Sequence, residues 1–184
     1  MKFLDQGYEI DLIHLVGHSL GAQCSGVVSR HLTKLSDDRL IIPRIFALDP
    51  AAPGFEENNF LTMFYGWVTF RKTDFPMISS SDAKYVQIIH TSSGSYGIQE
   101  SRGHVDFFPN SGANQAGCDL ELPGTRDVCS HRRAWLFYQE SVKNPEAFVA
   151  IKCNSYDAFT NNTCESEKAF MGFSMDIGAR GNFY

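Results

Sequence analysis
The chain alternates short apolar runs with amphipathic segments. Ile10 to Val16 is apolar and is followed at once by Gly17-His18-Ser19-Leu20-Gly21; from Ala22 onward Cys24, Val28, Leu32 and Leu35 recur at helical spacing. The pattern predicts strand, sharp turn, helix. A second apolar run, Ile41 to Leu48, is entered through Pro43 and closed by Asp49-Pro50, which stops further ladder bonding and leaves Asp49 at a strand's carboxyl end. Tyr85 to Ile89 predicts a third strand ending at His90-Thr91-Ser92, with a Gly/Ser-rich loop through Gly97. Gly103 to Cys129 reads as loops around one short aromatic strand, Val105 to Phe108. A helix starting at Ser130, with Ser130 as N-cap, then presents Ala134, Phe137, Tyr138 and Val142 on one face. The last forty residues read as loops. Strands alternating with helices imply an α/β fold with a parallel sheet, in one unit over residues 1–184 without repeats or low-complexity linkers.

Composition narrows the classes. A length of 184 residues, 43% hydrophobic with 15 Phe, supports one packed domain. The net charge of −5 and the absence of any Lys/Arg block argue against a nucleic-acid partner. No apolar run is long enough for a membrane span, and Lys2-Phe3-Leu4-Asp5 after Met1 is no export signal. Cys118 and Cys129, and likewise Cys153 and Cys164, each enclose ten residues, which reads as two disulfide-closed loops and an oxidising compartment, with Cys24 left over. Asn161-Asn162-Thr163 is a candidate glycosylation sequon at Asn161.

The chemistry centres on Ser19. Glycines two residues before and two after a serine, between a strand and a helix, form a nucleophile-elbow pattern. A strained turn brings neighbouring backbone close, so both Gly17 and Gly21 are expected to be needed for want of room. The Leu20 amide, at the helix N-terminus, can donate to a developing oxyanion. A serine needs a base and the base an orienting carboxylate, in the order Ser, Asp, His. Asp49 is the preferred carboxylate by position; Asp106 and Asp82 suit solvated or capping roles. Among the histidines, His14 and His31 fit structural roles and His18 fits support of the elbow. His90 and His104 rival His131, which a neighbouring disulfide cysteine and a helix would hold rigid.

Together these residues resemble the pancreatic-lipase family of neutral lipases, in the insect-like branch that also holds the phospholipases A1. Gly17 to Ala22 looks like the family's nucleophile box and Leu48 to Phe55 like the box of its triad acid. Asp82 to Gln87 leading to His90-Thr91, Gly103 to Asn110, and Cys129 to Ala134 follow in order, and the last box carries the family's triad histidine. The resemblance implies an α/β-hydrolase fold and a catalytic set of Ser19, Asp49 and His131 with Leu20 at the oxyanion. It implies bridges Cys118–Cys129, closing the lid, and Cys153–Cys164, and assigns Cys24 to a buried, unreactive position. It implies hydrolysis of glycerolipid esters at a membrane or lipid-droplet surface by a secreted protein that needs no cofactor. The short lid leans toward phospholipase A1. The family also includes non-catalytic storage or lipid-carrier proteins that lack the serine, against which the intact set argues.

Three departures stand out. Family members place a long segment before the elbow, including strands and a second oxyanion donor, where only eighteen residues precede Ser19 here. The implied domain is therefore partial, and an inactive fragment of an active enzyme is an alternative. Leu61 to Phe70 has no family counterpart and reads either as a membrane-contacting loop or local core or, favoured because joining Phe60 to Arg71 restores the family spacing, as translated intron or other spurious sequence. No C-terminal lipid-binding β-sandwich follows. Asp82 resembles one ligand of the family's structural calcium site, but its companions fall between Phe55 and Met77. No metal is assigned, and a solvent-facing Asp82 is expected.

Overall fold
The computed structural model describes residues 7, 9–56, 76–119, 125–174 and 177–184. The stretch Leu61 to Phe70 lies outside them. Five strands form one parallel sheet in the order β1 (His14–His18), β2 (Arg44–Leu48), β3 (Tyr85–Ile89), β4 (Val105–Phe107) and β7 (Gly181–Phe183). Helix α1 (Leu20–Leu35) follows β1, and α2 (Arg126–Lys143) follows the long connection after β4. A smaller antiparallel pair, β5 (Val149–Ile151) with β6 (Lys168–Phe170), brackets the short helix α3 (Tyr156–Thr160). The mixed α/β architecture with a parallel sheet is the one expected for this part of an α/β-hydrolase domain.

The apolar runs become central strands because both faces of the sheet are covered. On β2, Phe46 and Leu48 pack on one side with Tyr85, Ile89, Phe107 and Ala134 of α2. The intervening Ile45 and Ala47 pack on the other with Val86, Ile88 and Ala22 of α1. Phe46, Ile45 and Ile88 are fully enclosed, and each such burial contributes about 1.5–3 kcal/mol. This two-sided packing fixes the register His18↔Leu48↔Ile89, since a one-residue slip would exchange the faces.

Several local expectations are corrected. Ile10 to Leu12 is a 3-10 turn, so the first strand begins only at His14. Ser130 does not cap the second long helix: α2 starts one turn earlier, at Arg126, and Ser130 lies buried within it. The loop-rich C-terminal part supplies β7, a strand of the main sheet. Cys24 is exposed, not buried. The buried face of α1 consists of Ala22, Gln23, Ser25, Gly26 and Ser29, mostly small residues, of which Gln23, Gly26 and Ser29 meet Ile78 to Asp82, and this turns Cys24, Val28 and Leu35 outward.

Candidate active site
The parallel register builds the site. His18 and Leu48 are the last paired residues of β1 and β2, so the next residues, Ser19 and Asp49, leave neighbouring strands at the same carboxyl edge. Backbone bonds hold them there: the Ser19 amide donates to the Leu48 carbonyl (2.9 Å), the Asp49 amide to Ile89 (2.7 Å), and the Ala51 amide to the Ser19 carbonyl (3.1 Å). Ser19 has φ 58° and ψ −123°, a strained conformation for a residue with a side chain. As the first residue of α1, Leu20 carries an amide with no partner inside the helix. A Cβ on Gly17 would lie 2.6 Å from the Ala22 nitrogen and closer still to the Gly21 carbonyl. At Gly21, by contrast, an added Cβ meets nothing within 4 Å. Only the first glycine is therefore required for lack of room; Gly21 contributes the backbone that Gly17 packs on.

Asp49 is wholly enclosed. Its Oδ2 accepts from His131 Nδ1 at 2.6 Å, and its Oδ1 accepts the amides of Thr91 (2.7 Å) and Ser92 (3.1 Å). Because the carboxylate only accepts, Nδ1 carries the proton and Nε2 of His131 is left with a free lone pair. The ring of Tyr96 stacks 5.4 Å from the His131 ring. An added Cβ on Gly97 would collide with the Asp49 carboxyl group, so this loop approaches the carboxylate as only a glycine can. His131 lies in the second turn of α2, two residues after Cys129, which is bridged to Cys118; the second bridge is Cys153–Cys164. Ser95 Oγ, donating to Asp127 (3.0 Å), anchors the first turn of α2 to the loop after β3.

His18 supports the elbow from one side: its Nε2 donates to the His131 carbonyl (2.9 Å), and the two rings are 4.4 Å apart. Burial lowers the His18 pKa from its ordinary value; the bond to the His131 carbonyl opposes this, the nearby His131 charge adds to it, and Asp49 pulls upward. With a folded pKa below about 6.5, the unfolded chain binds more protons between the two values. The contribution of neutral His18 to stability is then full above that window and lost as pH falls through it. The urea midpoint should drop between about pH 7.5 and pH 5.5, and His18→Gln should shrink the drop; an equal drop in both proteins would refute this.

The rival residues are occupied elsewhere. His90 and Asp106 form a second enclosed pair, Nε2 to Oδ1 at 2.8 Å, with His90 Nδ1 on the Ile98 carbonyl and its ring stacked on Phe108 at 4.2 Å. Asp106 also accepts the amides of Arg102 and Gly103, so of the two roles expected of it, solvated or capping, it has the capping one and is buried. His104 Nδ1 accepts the Val86 amide; His14 and His31 are exposed. Asp82 is buried, not solvent-facing: Arg30 Nη1 reaches both its oxygens (2.6 and 2.7 Å), and Ser79 donates to Oδ2. Arg30 already supplies its countercharge, so Asp82 in this arrangement does not fit the role of a calcium ligand. Among the described residues no helix is long and apolar enough to cross a membrane. Asn161 is exposed at the end of α3.

Sequence reasoning missed the Thr91 and Ser92 amides, Tyr96 and Gly97. The Gly/Ser-rich loop directly after a strand was their signal, but their contacts depend on tertiary placement.

Comparison with known proteins identifies relatives of the chain. A family model described as Lipase matches residues 2–179. Pancreatic triacylglycerol lipase of Sus scrofa is 33% identical over 86% of this chain and 35% of that protein. The Homo sapiens protein of the same name is 33% identical over 86% of this chain and 34% of its own length. Pancreatic lipase-related protein 2 of Cavia porcellus is 33% identical over 85% of this chain and 32% of its length. The chain thus spans about a third of the length of these relatives.

Proposed function
Because this chain belongs to the lipase family, we propose that it carries the catalytic centre of a serine hydrolase of long-chain glycerolipid esters. Ser19 is the nucleophile, His131 the base and Asp49 the carboxylate that orients it. The observation that carries this reading is the 2.6 Å bond between enclosed Asp49 and His131 Nδ1, beside a strained Ser19 on the adjoining strand.

Ser19 Oγ attacks the ester carbonyl while His131 Nε2 takes its proton, and Asp49 stabilises the imidazolium so formed. The Leu20 amide donates to the oxyanion, one of the donors such a site uses. The tetrahedral intermediate collapses as His131 returns the proton to the leaving alcohol. Water, activated by the same imidazole, then releases the fatty acid and restores Ser19.

Between acylglycerols and phospholipids, we favour cleavage of phospholipid at sn-1. Cys118 and Cys129 are separated by only 11 positions and α2 already begins at Arg126, which leaves little chain to roof the site and exclude a polar head group. Two of the named relatives are triacylglycerol lipases, so that activity is the direct competitor. The two disulfides suit a secreted protein working at a lipid surface. Fatty-acid release from phosphatidylcholine vesicles labelled at sn-1 should exceed release from a triacylglycerol emulsion; the reverse order would replace the phospholipid assignment with the neutral-lipid one.

A further inference from the structure
We propose that Gln115 is a positioning residue for the Asp49–His131 pair: its buried carboxamide ties the Thr91 carbonyl of the loop that holds Asp49 to the Pro109–Asn110 turn, and its backbone bonds to Ser130 of the helix that carries His131 and to Cys118 of the disulfide. The inference rests on the hydrolase reading above. Gln115 is 1% exposed, and every polar group it has is engaged. Its Nε2 donates to the carbonyls of Pro109 (2.9 Å) and Thr91 (3.2 Å), and its Oε1 accepts from Asn110 Nδ2 (3.0 Å). Its backbone amide donates to Ser130 Oγ (3.1 Å), and its carbonyl accepts from the Cys118 amide (3.1 Å).

Three of those partners are one short step from the pair. The Thr91 amide donates to Asp49 Oδ1, Ser130 directly precedes His131, and Cys118 is bridged to Cys129 in the first turn of α2. Asn110 and Ser111 have φ of 50° and 69°, so the turn that presents the Pro109 carbonyl and the Asn110 amide is held in a conformation such residues rarely adopt. The chemistry selects glutamine: the position needs two donors and one acceptor at the same reach. Glutamate would set oxygens against the Thr91 and Pro109 carbonyls, and methionine would fill the space but leave both carbonyls buried without a donor.

The test reads the pair itself. In the whole chain, the ring N–H protons of His131 on Asp49 and of His90 on Asp106 are both shielded from solvent and should give separate low-field proton NMR signals, assigned through Asp49→Asn and Asp106→Asn. Gln115→Met should abolish or broaden the His131 signal, leave the His90 signal in place, and slow fluorophosphonate labelling of Ser19 about 10- to 100-fold. An unchanged His131 signal overturns the proposal. If Gln115→Met loses both signals, Asn110→Gly decides, since it removes the bond to Oε1 and tolerates the positive φ. A weakened His131 signal there supports the role, and two unchanged signals overturn it. A wild-type chain whose His131 signal depends on Gln115 but which never labels would refute the hydrolase reading and leave this one standing.

Discussion

Replacing Asp49 by asparagine is expected to slow hydrolysis of a soluble p-nitrophenyl ester about 10³- to 10⁴-fold without unfolding the chain. Asp49 is fully enclosed and faces three donors, the His131 ring N–H and the amides of Thr91 and Ser92. An asparagine offers an acceptor on one side only. If its NH2 group faces His131, the imidazole must present Nδ1 as acceptor, which places the proton on Nε2, where Ser19 needs a base. If the NH2 group faces the loop instead, two buried amides lose their acceptor. His90–Asp106 is untouched, so circular dichroism should change little while the rate collapses. A rate within about tenfold of wild type would mean that Asp49 is only a structural partner of His131.

The second large effect separates two glycines that look equivalent in the sequence. Gly17→Ala is expected to cost about 2–4 kcal/mol in urea unfolding, because the new methyl meets the backbone of Gly21 and Ala22 and neither can move without shifting α1 against β1. Gly21→Ala sits in open space in the first turn of α1 and should be neutral or stabilising by up to about 1 kcal/mol, through reduced freedom of the unfolded chain. Equal costs at the two positions would contradict the close approach that forms the elbow.

The legible parts of the fold were those dominated by local pattern. β2 and β3 are buried on both faces, so continuous apolar runs marked them. The elbow was marked by two glycines around a serine, and Asp49 by a proline that ends a strand. Features set by tertiary packing were misread or missed. β7 is three residues, Gly181-Asn182-Phe183, too short for any period and a strand only because β4 offers it an edge. The stripe Cys24, Val28 and Leu35 has the spacing of a core face, yet other, mostly small residues form the buried face. His90–Asp106 copies the chemistry of His131–Asp49 without a serine on an adjoining elbow, and no sequence spacing distinguishes an enclosed structural pair from a working one. Gln115 sits in a stretch without periodicity, and its five partners come together only in the folded chain.

The most direct measurement is intact-mass analysis of the purified 184-residue chain after treatment with a fluorophosphonate, with Ser19→Ala and His131→Gln beside it. One added phosphonyl group on the wild-type chain, absent from Ser19→Ala and strongly slowed in His131→Gln, is the expected result. No adduct on a chain shown to be folded, or an adduct that survives Ser19→Ala, would contradict the assignment of Ser19, His131 and Asp49 as a catalytic set.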